Sequence, residues 1–399
     1  MDDRGRDVRR VLRWTFGLTR SNAADRFSAA SWCASEAADR AGTVLAIVAL
    51  GGRSVEDQLR VGIIGYGLAG RVFHGQLIKA EPGMRVAAVV TRDPQRRAQA
   101  AAEHPGVAVH DDLDEMLGAG GLDLVVVASP SDAHAGGALA SIEAGVPVVV
   151  DKPLAIDAEQ ARSVVEQGEQ AGVPLTVFQN RRWDSDVLTL RRLLDEDEIG
   201  EVLRFESRFE RWRPTMTPGK PSEEAAPGGG ILLDLGSHLV DQAMQLFGPV
   251  LDLHGEVAAR RGGADDDVFC SLQHGSGVRS HLSMTALAGA PGPRMRVLGM
   301  RGAYVVEPLD GQEDMLRAGR SPGDPMYGVE PQERWGRLHR GDEVRPVPSE
   351  RGRWDLFYAG VFSALTAGTP MPVDPWDAVR TLEVLGRVRA ASPASPVSR

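Results

Sequence analysis

Leu59-Arg60-Val61-Gly62-Ile63-Ile64 runs directly into Gly65-Tyr66-Gly67-Leu68-Ala69-Gly70, and this junction decides the fold. A short apolar run that stops at glycine is the pattern of a buried parallel strand. The Gly-x-Gly-x-x-Gly turn then opens a helical stretch from about Leu68 to Ala80, and Arg85–Val90 reads as a second strand. In that setting the first glycine permits the tight turn and the second lets backbone approach a pyrophosphate. The third lets the helix pack closely on the strand, with its N-terminus aimed at negative charge. Residues Gly65, Tyr66, Gly67, Leu68, Ala69 and Gly70 are therefore expected to hold a dinucleotide.

Downstream the alternation continues. Asp93-Pro94 opens a helix, with proline at a first-turn position where its missing N–H costs little. Strands are expected at Leu122–Ala128, Val146–Val150 and Leu175–Phe178, with helices over Asp132–Ala144 and Asp157–Ala171. Repeated βα units predict a doubly wound parallel sheet, a Rossmann domain over residues 58–178. After about Gln179 the rhythm changes. A helix at Ser185–Leu194 precedes strand-like runs at Val202–Phe209, Leu251–Ala258, Val268–Gln273, Val278–Met284, Met295–Leu298 and Tyr304–Val306, with a helix over Leu232–Phe247. Bunched strands predict an α+β domain over residues 179–374 on a large, mostly antiparallel sheet. Residues 308–350, rich in Gly, Pro and charge, read as a long loop. Helices near Trp354–Ala367 and Pro375–Ala391 follow, the latter with residues 375–399 forming a terminal helix and tail.

Upstream, residues 1–57 are rich in Arg, Ala and Ser and lack a sustained period, as a disordered or non-native extension would. Arg9-Arg10 is not followed by the uninterrupted apolar stretch of an export signal, and the chain is expected in the cytoplasm. No apolar run reaches the roughly 20 residues that span a bilayer. Across 399 residues the net charge is -10, which disfavours a nucleic-acid partner. Cys33 and Cys270 are the only cysteines, too few for a disulfide framework, and no ligand-spaced cluster suggests a metal.

The cofactor and the chemistry are read from four further places. The second strand ends in Thr91-Arg92, where an NAD-preferring site usually carries a carboxylate for the ribose hydroxyls. Thr91 brings no charge to repel a 2′-phosphate, and Arg92 either pairs with one or is simply solvated; NADP is favoured, with NAD the alternative. Val150-Asp151-Lys152-Pro153 places a lysine at a strand's carboxyl end, where it could exchange a proton with a substrate oxygen. Three glycines, Gly228–Gly230, precede a helix on which Asp234 and His238 are i and i+4. That pair is either an ordinary helix contact or a proton-handling set, and the glycines suggest that another group approaches the helix start.

Taken together, Gly65–Gly70, Ser129-Pro130-Ser131-Asp132-Ala133-His134, Asp151-Lys152-Pro153 and Asp234-x-x-x-His238 resemble the Gfo/Idh/MocA family of sugar and inositol oxidoreductases. Phe178–Asp186, Phe73-His74 and Phe205–Phe209 look like its NADP-dependent scyllo-inositol dehydrogenase branch. The resemblance implies hydride transfer with a cyclic polyol or sugar, scyllo-inositol and its 2-keto form first; the alternatives are another sugar or nucleotide-sugar dehydrogenase of the family, or a dinucleotide-sensing binding protein without turnover. The resemblance gives Lys152 a hydrogen bond to the reacting oxygen, His238 the proton relay and Asp234 the orientation of both substrate and His238. Ser129, Pro130 and His134 would line the nicotinamide side of the cleft. Asn180, Arg182 and Trp183 would face the sugar, although an Arg-Trp pair can equally be a packed stack. Asp151 departs from the family's usual Glu before the lysine. Relatives commonly assemble as homodimers or homotetramers, and the same is expected here.

Overall fold

The computed structural model describes residues 58–217, 219 and 223–392; the extension expected over residues 1–57 lies outside them. The first sheet consists of β1 (Leu59–Ile64), β2 (Met84–Val90), β3 (Ala108–His110), β4 (Leu124–Val127), β5 (Val148–Asp151) and β6 (Leu175–Phe178). All pair in parallel, in the order β3-β2-β1-β4-β5-β6. Its central strands are runs of Val, Ile and Leu because both faces are covered; all four residues of β4 are buried. The strand order reverses between β1 and β4, so a ligand crevice opens at their carboxyl ends.

The helix after the glycine turn, α1, differs from the expected α-helix. It starts as a π-helix over Leu68–Gly75 and becomes α-helical only over Gln76–Ala80. Next comes α2 (Pro94–Glu103), where the Asp93 carboxylate accepts the N–H groups of Gln95 and Arg96, the cap that Asp-Pro announces. Three more helices complete this half: α3 (Leu113–Ala119), α4 (His134–Glu143) and α5 (Ala158–Ala171).

The second half contains α6 (Ser185–Asp195), β7 (Val202–Glu210), α7 (Ile231–Asp234), α8 (Gly236–Phe247) and β8 (Val250–Ala258). The strands β9 (Asp267–His274), β10 (Arg279–Thr285), β11 (Met295–Gly299) and β12 (Gly302–Val306) follow. These strands join β13 (Arg337–Arg340) and β14 (Glu343–Pro346) in the order β14-β13-β12-β11-β7-β10-β9-β8. Only β7 and β10 pair in parallel. In β9 every second residue is buried, the period-2 pattern of a sheet with helices on one face.

Two expectations need correction. The stretch 308–350 is not one long loop: it holds α9 (Gln312–Arg317) and the hairpin β13–β14. These are four-residue strands at one end of the sheet, with β14 on its edge, and their Arg and Glu side chains suit that exposed position, so their sequence lacks an apolar pattern. The single helix expected over Leu232–Phe247 is broken at Leu235 into α7 and α8.

The last helices, α10 (Asp355–Ala367) and α11 (Pro375–Ala391), tie the halves together. Trp354, Phe357, Tyr358 and Val361 share a buried cluster with Val61, Ile63, Val126 and Phe178 of the parallel sheet. α11 packs on α5, α8 and β8, and its Leu382, Leu385 and Val388 join the larger core. Among the described residues no helix is long and apolar enough to cross a membrane.

One buried group makes stability depend on pH. His74 is fully buried on α1, with Nδ1 2.6 Å from the Tyr358 hydroxyl. Its Nε2 has no hydrogen-bond partner and lies 3.9 Å from Asp151 Oδ1. Burial holds its pKa down at about 4, against the opposing pull of the Asp151 carboxylate. On acidification the unfolded chain takes up a proton there near its ordinary value of 6.5, before the native protein does. Stability is therefore complete above about pH 6.5 and falls towards pH 4, by roughly 3 kcal/mol from this group. Urea midpoints of the native protein and of His74→Asn, compared at about pH 7 and about pH 4.5, should show a smaller acid loss in the variant. Equal losses would contradict this assignment.

Candidate active site

The glycine turn sits at the crevice. Gly65 has φ +88°, a conformation L side chains rarely adopt, and a Cβ there would meet the Ala128 carbonyl oxygen at 2.7 Å. At Gly70 an added Cβ would lie 1.9 Å from the Gly65 carbonyl oxygen and 3.2 Å from Ile63 of β1, which is the close helix–strand packing the motif requires. Gly67 is different. The only heavy atom near its virtual Cβ is Arg96 Nη1 at 3.8 Å, leaving a cradle of open space above the turn.

Within the motif, Tyr66 turns inward and donates to Glu103 Oε2 at 2.8 Å, so its side chain braces α2. Leu68 is exposed and Ala69 half-buried at the cleft. Thr91 is buried, with Oγ1 accepting the Asp93 N–H at 3.3 Å. Arg92 is exposed and donates through Nε to the Asp111 carbonyl. Arg96, which the sequence reading passed over, is the cation nearest Gly67 because the Asp93 cap orients the first turn of α2.

At the end of β4, Ser129 Oγ is buried without a hydrogen-bond partner, beside Gly65. Pro130 is exposed. His134 does not present a free ring to the cleft: its Nδ1 lies 2.6 Å from the Pro153 carbonyl oxygen and its Nε2 2.8 Å from that of Ser129. It clasps the strand ends of β4 and β5. The open space at Gly67, the orphaned Ser129 hydroxyl and the helix N-terminus at the switch point fit a dinucleotide.

Lys152 follows β5, and its peptide bond to Pro153 is cis. Its Nζ donates to Asp234 Oδ1 at 2.6 Å and to the Asp234 carbonyl oxygen at 2.9 Å. Residues 82 apart in the chain thus meet. Asp234 ends α7, and the break at Leu235 lets both its carbonyl and its carboxylate face the lysine. His238, on α8, is buried, and its Nδ1 has no hydrogen-bond partner. Burial first, then the charges of Lys152, Arg181, Arg294 and Arg211, push its pKa well below the ordinary value. The imidazole is thereby held in its neutral form at neutral pH.

The glycines before α7 have a structural occupant. A Cβ on Gly230 would meet Asp265 Oδ2 at 2.2 Å, and Asp265 caps the helix by accepting the Leu232 N–H at 2.7 Å. The group that approaches the helix start is the protein's own carboxylate.

The segment after β6 is also more structural than its composition suggests. Arg182 spends its guanidinium on Asp241, through Nε at 2.8 Å and Nη2 at 2.5 Å, and on Asp377 at 2.9 Å. Trp183 packs in the core with its ring 6.1 Å from that of Phe357. Each of the two is engaged by protein groups of its own, Arg182 by two carboxylates and Trp183 by an aromatic ring. Asn180 is buried beside them. The arginines nearer His238 are Arg181 and Arg294, which lie 5.2 and 4.5 Å from the Phe209 ring centroid. That ring stands edge-on to His238 at 6.2 Å. Sequence offered no signal for either arginine, since each depends on contacts across the sheet.

Both halves of the chain resemble known proteins. Residues 59–179 match a family model described as an oxidoreductase family with an NAD-binding Rossmann fold. Residues 187–305 match the GFO/IDH/MocA C-terminal domain. The chain is similar to the scyllo-inositol 2-dehydrogenase (NADP(+)) of Bacillus subtilis, 31% identical over 85% of this chain and 95% of that protein. An uncharacterized oxidoreductase of Escherichia coli is 36% identical over 83% and 95% respectively. The crystal structure of an oxidoreductase from Bacillus cereus superposes with a TM-score of 0.75 at 26% identity, covering 85% of this chain and 97% of that one.

Proposed function

Because the chain belongs to the Gfo/Idh/MocA family of oxidoreductases, we propose that it moves a hydride between NADP(H) and a secondary alcohol or ketone of a cyclic polyol or sugar. Scyllo-inositol and its 2-keto form are the first candidates, following the similarity to a scyllo-inositol dehydrogenase. The observation that carries the reading is the Lys152–Asp234 pair at the crevice with the unpartnered Nδ1 of neutral His238 in the same charge cluster.

When bound, the dinucleotide gives or takes the hydride at the reacting carbon. Lys152 hydrogen-bonds the oxygen on that carbon and draws charge from it; Asp234 fixes the direction of the ammonium. In oxidation His238 receives the hydroxyl proton, which a neutral imidazole can do and an imidazolium cannot. In reduction the same groups return a proton to the oxygen. Gly65, Gly67 and Gly70 would hold the pyrophosphate, and Ser129 Oγ would contact the nicotinamide end. The substrate reading is tested by NADPH consumption with a panel of keto-inositols and keto-sugars. Turnover of at least one is expected, and none at all would overturn it.

For NADP over NAD the support is the Thr91-Arg92 strand end together with Arg96 beside Gly67. Two arginines on a 2′-phosphate make charge-assisted bonds worth about 1.5–3 kcal/mol each. Arg92→Ser/Arg96→Ser should therefore weaken NADPH binding at least tenfold and leave NADH binding within a factor of about two. Equal losses for both cofactors in a fluorescence titration would count against the assignment. The half-exposed outer residues of β9 and β10 are the face proposed for homodimer or homotetramer assembly, which sedimentation would detect.

A further inference from the structure

Lys152, Arg181, Arg294 and Arg211 all act on the imidazole of His238. Three of them are held by direct side-chain contacts. Lys152 is held by Asp234 at 2.6 Å. Arg181 donates to Asp184 at 3.2 Å and Glu313 at 3.1 Å. Arg294 lies 3.2 Å from Asp186 and donates to Gln242 at 2.9 Å. Arg211 is the exception: among the described residues no hydrogen bond or ion pair engages its guanidinium.

Its backbone is nevertheless fixed. The Arg211 N–H donates to the Thr285 carbonyl at 2.9 Å and its carbonyl accepts from Ala288 at 3.0 Å, extending β7 past Glu210. Along β7 the inward positions alternate as Phe205, Ser207 and Phe209, all buried. Continuing that period puts residue 211 on the helix-facing side, next to the Phe209 ring that stands on His238. Arg211 is half-buried there. A partly desolvated cation with no hydrogen-bonded partner is a cost the fold carries: burial is what most lowers its pKa, Arg213 adds to the effect, and the more distant charges of Asp234 and Glu313 offset part of it.

We infer that Arg211 is a specificity residue that binds an oxyanion substituent, a carboxylate or a phosphate, carried by the sugar or polyol substrate. A planar guanidinium receives either group through two parallel N–H···O bonds, and the exchange replaces lost hydration by a counter-ion. The inference rests on the hydride-transfer reading only in taking the substrate to be a sugar or polyol. An unsubstituted inositol would leave the Arg211 guanidinium without a hydrogen-bonded anion and bind through hydroxyl contacts alone.

The test is calorimetric binding to the NADP-loaded protein of glucuronate, glucose 6-phosphate and glucose, which share a ring and differ at one carbon. At least one anionic ligand should bind tenfold or more tightly than glucose, and which one does so tells carboxylate from phosphate. Arg211→Gln should erase the difference, Arg211→Lys should keep part of it, and both should retain wild-type affinity for NADP as proof of folding. Equal binding of all three ligands, absence of binding by both anions, or a preference that survives Arg211→Gln would overturn the inference. NADPH-dependent turnover of a ketone alongside equal binding of the three ligands would overturn the inference while leaving hydride transfer standing. Failure of every ketone to consume NADPH, with the anionic preference intact, would strike the hydride-transfer reading instead.

Discussion

Lys152→Ala is expected to lower kcat by about 10²–10⁴-fold, the usual contribution of a positioned proton donor or acceptor. Its affinity for NADP(H) should change little. Lys152 reaches the cleft from the end of β5 and is steered there by a carboxylate from the other half, at 2.6 Å. Removing the ammonium leaves Asp234 facing the position of the substrate oxygen, so charge developing on that oxygen meets repulsion where it met a donor. Single-turnover kinetics with cofactor bound would separate chemistry from binding. Unchanged turnover would remove Lys152 from the catalytic set, whatever the substrate proves to be.

The second large effect lies in the glycine turn. In Gly70→Ala the new methyl carbon stands 1.9 Å from the Gly65 carbonyl oxygen, which is backbone and cannot swing aside. The turn and α1 must separate, so the variant should lose about 3 kcal/mol or more of stability and bind NADP(H) barely or not at all. Gly67→Ala is the informative partner, because its Cβ meets only Arg96 Nη1 at 3.8 Å. That variant should fold within about 0.5 kcal/mol of wild type yet bind NADP(H) more weakly, its methyl filling the space the pyrophosphate needs. Urea denaturation and cofactor titration of the two variants give the comparison. Equal stability of both would mean that the close packing at Gly70 has been misjudged.

Much of this architecture is written locally. The junction from β1 into Gly65, the Asp93 cap with its proline and the valine-rich strands each follow from neighbouring residues, so period and cap signals suffice. What escaped depends on distant partners. Arg182 looks like a ligand residue in sequence, but its carboxylates stand 59 and 195 residues away. Asp265 answers the Gly228–Gly230 run from 33 residues beyond Leu232. The short strands β13 and β14 carry charged side chains and no apolar alternation, so composition made them resemble a loop. Arg211 was invisible for a related reason: among the described residues no hydrogen bond engages its guanidinium, and only an assembled site reveals that.

The most direct measurement of the central claim is isotopic. NADPH deuterated at the transferred position should be incubated with the protein and a keto-polyol or keto-sugar that it turns over, and the product examined by NMR. Deuterium on the new carbinol carbon, at a rate that collapses in Lys152→Ala, is the predicted result. NADPH consumed without deuterium at that carbon would contradict the account.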